Sequence, residues 1–192
     1  MSVSLSKGQR VSLSKRGGGT LSRVRMGLGW DAVQKKGLFG KMKSQDIDLD
    51  ASVLLFDRNN QLVDAVWFGQ LRSADGSVVH TGDNLTGAGE GDDESIIVDL
   101  AVLPAHVTAL LFTVNSFTGQ NFSQIENAFC RLVDETNQDE LARFDLSGSG
   151  AHNAQLMAKV SRDGSGWSMT AIGATTSGRT VQDLVPAALG HL

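Results

Sequence analysis

HTGDNLTGAGEGDDE, residues 80–94, sets five carboxylates, Asp83, Glu90, Asp92, Asp93 and Glu94, among four glycines. No Lys or Arg occurs in residues 73–130, so no neighbour along the chain neutralises them. Holding like charges this close in one ordered loop costs on the order of several kcal/mol unless a counter-charge sits among them. A hard divalent cation supplies one. Calcium takes about six to eight oxygens from carboxylates, backbone carbonyls, amides and water. Gly82, Gly87, Gly89 and Gly91 let the backbone turn sharply enough to aim such groups at one point. A solvated acidic loop without a ligand is the plain alternative. An EF-hand is excluded. With Asp83 first, Glu94 falls at the last position of that loop, but Leu85, Gly87 and Ala88 stand where oxygen ligands and an invariant glycine are required.

Outward from the loop the chain reads as β-structure. Residues 78–80 lead in and residues 95–100 lead out. His80 is a positioning hydrogen-bond donor or a strand-end residue, since calcium prefers oxygen to imidazole. Upstream, DIDLD at 46–50 alternates strictly, which puts Asp46, Asp48 and Asp50 on one side of a strand. Carboxylates at i and i+2 are ~6–7 Å apart at the backbone, close enough to share one cation. The strand continues as SVLLF at 52–56 and enters the core, where ionised Asp at its mouth is costly unless compensated. Aspartates pointing to water at a sheet edge are the alternative. Asp31 follows Gly29-Trp30, which ends a strand over 21–28. By itself it reads as an ordinary turn aspartate.

Further strands are expected at 3–7 and its repeat 11–15, at 62–71 with Trp67 and Phe68 adding core bulk, and at 107–114, 130–133, 141–146, 154–162 and 167–173. Residues 17–19 and 147–150 read as loops, and so does polar 115–122. Residues 122–129 fit either a helical turn or a strand start. KKGLFGKMK at 35–43 reads as a basic surface loop whose apolar tips could touch an anionic membrane or a partner. About ten strands with turn signals roughly every ten residues predict an all-β fold, an antiparallel β-sandwich. The acidic loops would gather at one end. Residues 180–189 predict a short C-terminal helix with Pro186 near its end.

A chain of 192 residues with net charge -4 is most simply one domain, 1–192. Residues 1–45 hold ten Lys/Arg against Asp31 alone, whereas 73–130 hold eight acids. The acidic part suits a cation. The basic part suits a solvated face, an acidic partner or lipid headgroups. No apolar run is long enough for a transmembrane segment, and no signal-peptide core opens the chain. A single cysteine, Cys130, fits a reducing cytoplasm. Negative charge and the lack of a recognised motif argue against nucleic acid. The four histidines have no companion motif, and no G-x-S-x-G, H-E-x-x-H or Walker A sequence occurs. An enzyme is therefore not expected. A metal-dependent hydrolase or nucleotide-acting enzyme using the same acids is the alternative.

HTGDNLTGAGEGDDE strongly resembles the signature of the TerD family of tellurium-resistance and stress proteins. GLGWD at 27–31, DLDAS at 48–52 and ARFDLS at 142–147 resemble it in the same order. The likeness runs from VSLSKG at 3–8 to Ala171-Ile172-Gly173. It implies a calcium-binding β-sandwich, a cytoplasmic stress-response protein associated with tellurite resistance, and no enzyme. Asp31, Asp48, Asp50, Asp83, Glu90, Asp92, Asp93 and Glu94 would then supply carboxylates. Asn84 and the carbonyls of Gly87 and Gly91 would add oxygens. Ala88 departs from the family, whose members often carry an acid there. That many carboxylates exceed the needs of one ion, so more than one Ca2+ is expected. The ordered surface would dock other proteins of a resistance complex at the inner membrane surface. Asp83→Ala and Asp92→Ala should each lower calcium affinity at least about tenfold without unfolding the calcium-free protein.

Overall fold

The computed structural model describes residues 3–4, 8–13, 20–31, 33–36, 42–45, 48–84, 91–146, 150–164 and 166–192. Its strands are β1 (Val3–Ser4), β2 (Arg10–Ser12), β3 (Arg23–Asp31), β4 (Val33–Lys36), β5 (Met42–Gln45), β6 (Leu49–Asp57), β7 (Leu62–Val66), β8 (Val78–His80), β9 (Glu94–Asp99), β10 (Val107–Ser116), β11 (Glu126–Asp134), β12 (Asp139–Asp145), β13 (Ala154–Asp163) and β14 (Gly166–Thr176). Helix α1 (Val181–Leu189) follows. Two six-stranded sheets form, in the orders β1-β12-β11-β3-β9-β8 and β2-β14-β13-β10-β6-β7. Pairing is antiparallel except where β1 lies parallel to β12. The expected sandwich with a short C-terminal helix is the observed architecture.

Alternation decides which residues enter which core. Val24, Met26, Leu28 and Trp30 of β3 meet Leu49, Ala51, Val53 and Leu55 of β6 between the sheets. The other face of β6 presents Leu54 and Phe56, which with Leu111 and Ile172 lie under Val181, Leu184 and Ala188 of α1. β6 is thus covered on both faces, which is why its sequence reads as an unbroken apolar run. No helix among the described residues is long and apolar enough to cross a membrane.

Several elements differ from the sequence expectation. β3 runs on through Gly29 and Trp30 to Asp31. The strand expected over 62–71 stops at Val66, and Gln70 N–H returns to Trp67 O at 2.9 Å in a tight turn. Trp67 packs on the smaller cluster under α1. Phe68 meets Phe117 edge-on at 5.5 Å, so neither ring fills the main core. β10 extends through Asn115 and Ser116, where the polar sequence predicts a loop. Phe122–Gln124 is a 3-10 turn ahead of β11. The repeat near the N-terminus gives β1 and β2, which join opposite sheets. The basic segment is flanked by β4 and β5, paired as a hairpin. Residues 37–41 of that segment lie outside the described residues, as do 5–7, 14–19 and 147–149. Pro186 sits inside α1 rather than at its end. Asp183 fixes the start of the helix, accepting the N–H groups of Arg179 at 2.9 Å and Thr180 at 3.0 Å.

Candidate metal centre

Asp48 precedes β6 and Asp50 is its second residue, and the chain leaving β8 carries Asp83. The two segments come from opposite sheets and meet at one end of the sandwich. One carboxylate oxygen from each of Asp48, Asp50 and Asp83 lies within 4.8 Å of the others. Asp50 is 2% exposed, Asp48 is half-buried and Asp83 is exposed. Asn115 Nδ2 donates to Asp50 Oδ2 at 2.9 Å. Asp48 Oδ1 is buried and has no hydrogen-bond partner among the described residues. Burial, then repulsion from Asp48, Glu94 and Asp83, pushes the Asp50 carboxyl up to about 8. Burial, then Asp83 and Glu94, pushes Asp48 up to about 6.

The chain around the triad is pinned by the neighbouring polar residues. Glu94, 1% exposed, accepts Ala51 N–H at 2.8 Å and Asn84 N–H at 3.2 Å, so it ties the loop to β6. Asp93 accepts Trp30 N–H at 3.0 Å and Asn84 Nδ2 at 2.9 Å, which ties it to β3. Burial raises the carboxyl pKa of both; the Trp30 N–H partly opposes the rise at Asp93, and His80, Ala51 N–H and Asn84 N–H oppose it at Glu94. His80 Nδ1 accepts Gly82 N–H at 3.2 Å. That leaves the proton of a neutral ring on Nε2, which faces Glu94 Oε2 at 3.4 Å, too long for a strong hydrogen bond.

Asp92 does not join the triad. Its carboxylate lies between two arginines from other strands, Oδ2 on Arg25 Nη1 and Oδ1 on Arg131 Nε at 2.6 Å. Glu135 holds Arg25 Nε at 2.9 Å and Glu140 holds Arg131 Nη1 at 3.3 Å. No neighbour along the chain neutralises Asp92, and the fold supplies two cations from other strands instead. Arg25 lies 67 residues away in sequence and Arg131 lies 39, and sheet pairing brings both alongside.

The GLG of residues 27–29 provides the seat for this segment. A Cβ on Gly27 would overlap the Asp92 carboxylate. A Cβ on Gly29 would stand 2.5 Å from Gly91 O and 2.6 Å from the Phe129 ring. Gly91 itself has φ +96°, a conformation that favours glycine. Its carbonyl therefore packs on β3. Gly29→Ala should destabilise the protein by roughly 1–3 kcal/mol through overpacking against backbone, several degrees in Tm. An unchanged thermal melt would refute this account of the close approach.

Asp31 is exposed at the end of β3 and accepts Asn127 Nδ2 at 2.6 Å. Its charge contributes to raising the pKa of Asp93. Asp46, Gly87, Ala88, Gly89 and Glu90 lie outside the described residues. The structure thus brings together Asp48, Asp50 and Asp83, braces them with Asn84, Asp93 and Glu94, and sends Asp92 to the arginines. Sequence reading missed Asn115. Its only signal was position, a polar residue closing the apolar run of β10 opposite Asp50.

A β-sandwich with an acid-lined end is the architecture to be placed among known proteins. The family model for the TerD domain matches residues 1–187, and the chain belongs to this family of tellurium-resistance and stress proteins. It is 50% identical over 184 residues to tellurium resistance protein TerZ of Serratia marcescens, covering 95% of this chain and 94% of that one. It is 41% identical over 197 residues to stress response protein SCP2 of Bacillus subtilis (strain 168), covering 96% and 98%. The crystal structure of a homologue of telluride resistance protein (TerD) from Streptomyces coelicolor A3(2) matches with a TM-score of 0.72. That match covers 86% of this chain and 95% of the other at 19% identity, so it speaks to the fold alone.

Proposed function

We propose that this protein binds calcium at Asp48, Asp50 and Asp83, and that the ion orders the acidic end into a surface for other proteins of a tellurite-resistance response. One observation carries the reading. Three carboxylate oxygens converge within 4.8 Å on a buried aspartate, beside an Asp48 oxygen that is buried without a partner among the described residues. An all-oxygen donor set suits a hard cation rather than a thiophilic one. The ion would keep Asp48 and Asp50 ionised, and Asn84, Asp93 and Glu94 would hold the surrounding chain in place. Asp31, Gly91 and the stretch holding Gly87 and Glu90 are where further oxygens, or a second calcium, are to be sought. The role is structural: binding only the folded state stabilises it by linkage. The names of the relatives, a tellurium resistance protein and a stress response protein, support the tellurite-resistance setting. Isothermal titration of chelator-treated protein with calcium chloride should give saturable binding and a rise in Tm. Flat heats with an unmoved Tm would remove the reading.

The raised carboxyls set the pH dependence. Asp50 and Asp48 have folded values of about 8 and about 6 against 3.8 unfolded. Between those limits the calcium-free folded state holds protons that the unfolded chain has released, so stability falls as pH rises from about 4 to about 8. Calcium binds the deprotonated form and competes with those protons. The Tm difference between calcium and chelator should therefore widen from pH 5 to pH 8. Parallel curves would contradict it.

A further inference from the structure

We infer that Asn115 is a positioning residue of the cation site and that, through the Arg179 carbonyl, it couples ion occupancy to the docking of α1; this rests on the calcium reading above. Asn115 is 1% exposed at the end of β10, directly opposite Asp50 in the pairing with β6. Its Nδ2 carries two hydrogens and both are used, one on Asp50 Oδ2 at 2.9 Å and one on Arg179 O at 2.8 Å. This fixes the amide. A flipped side chain would set its oxygen against a carboxylate and a carbonyl. Oδ1 is left buried with no partner among the described residues, an arrangement that costs free energy in any fold. The donated bond occupies one oxygen of Asp50 and leaves the other for a cation.

Arg179 belongs to the start of α1, where its N–H is held by Asp183. A second link runs in parallel. Arg179 Nε donates to Phe117 O at 2.9 Å, and Phe117 N–H donates to Asp48 O at 3.1 Å. Both aspartates at the start of β6 are therefore tied to one residue at the entrance of α1. An ion that fixes Asp48 and Asp50 fixes their partners, and the helix start is ordered with them. Reciprocity then requires that loosening the helix start weakens the ion by the same factor.

The test is calcium titration of the full chain as wild type, Asn115→Ala, Asn115→Ser and Thr113→Val, with amide exchange of α1 in calcium and in chelator. Thr113 lies two residues from Asn115 on the same face, and its hydroxyl has no partner among the described residues, so Thr113→Val controls for disturbing the buried wall. Asn115→Ala should raise the calcium Kd roughly 10- to 100-fold, as loss of a bond that orients a metal ligand does. Asn115→Ser, which keeps one donor, should fall between Asn115→Ala and wild type, and Thr113→Val should match wild type. Calcium at concentrations that saturate each protein should slow α1 exchange in wild type and slow it less in Asn115→Ala, where only the Phe117 link remains. If Asn115→Ala lowers Tm in chelator but binds calcium like wild type below its melting range, Asn115 is only structural and the inference is overturned. Calcium binding to wild type without slower α1 exchange overturns the coupling while the calcium reading stands. No calcium binding to wild type removes both.

Discussion

Asp50→Asn should remove most of the calcium stabilisation while leaving the calcium-free protein as stable as wild type or more so. The two effects have opposite signs for one reason. Asp50 is the most buried member of the triad, and burial and three neighbouring acids oppose its charge. Asparagine has nearly the same shape, can still accept the bond from Asn115, and carries no charge to desolvate. Without calcium, the substitution spares the folded chain the cost of either holding Asp50 ionised beside Asp48, Glu94 and Asp83 or protonating it on folding. With calcium, it removes an anionic oxygen from the centre of the group, which should weaken affinity about a hundredfold, some 2.7 kcal/mol. Asp83→Ala should cost less, about tenfold, because Asp83 is exposed and water can replace its oxygen. Thermal melts and titrations of both variants check this. A destabilised calcium-free Asp50→Asn with undiminished affinity would mean that the carboxylate serves the fold and not an ion.

Asp92→Ala should do the reverse, destabilising the protein by about 3 kcal/mol while changing calcium affinity by less than about threefold. The Asp92 side chain is 5% exposed and holds Arg25 and Arg131 together. Removing it leaves two guanidinium groups facing each other. The cost sits at the lower end for a broken buried pair, because Arg25 and Arg131 keep Glu135 and Glu140. The two arginine contacts point to this outcome in place of the one expected from sequence, that Asp92→Ala would weaken calcium without unfolding. Denaturant unfolding with and without calcium separates the two. A calcium-specific loss at unchanged stability would restore Asp92 as a ligand.

What the sequence determined by itself is what depends on near neighbours. Alternation at 46–50 and the apolar runs at 52–56 and 107–114 specify strands through local sterics and side-chain direction, so the β-rich architecture was legible. Asp48 and Asp50 were legible as a pair because two residues of a strand suffice to set them side by side. The tertiary structure decided the partners. Adjacent Asp92, Asp93 and Glu94 look alike in sequence, yet one meets two arginines, one the backbone of Trp30, and one the backbone of Ala51. Their directions diverge along the chain, and each environment is set by strands that pair across the fold. Charge acts through space, so counting cations along the chain could not reveal that Arg25 and Arg131 flank Asp92, or that Asn115 faces Asp50.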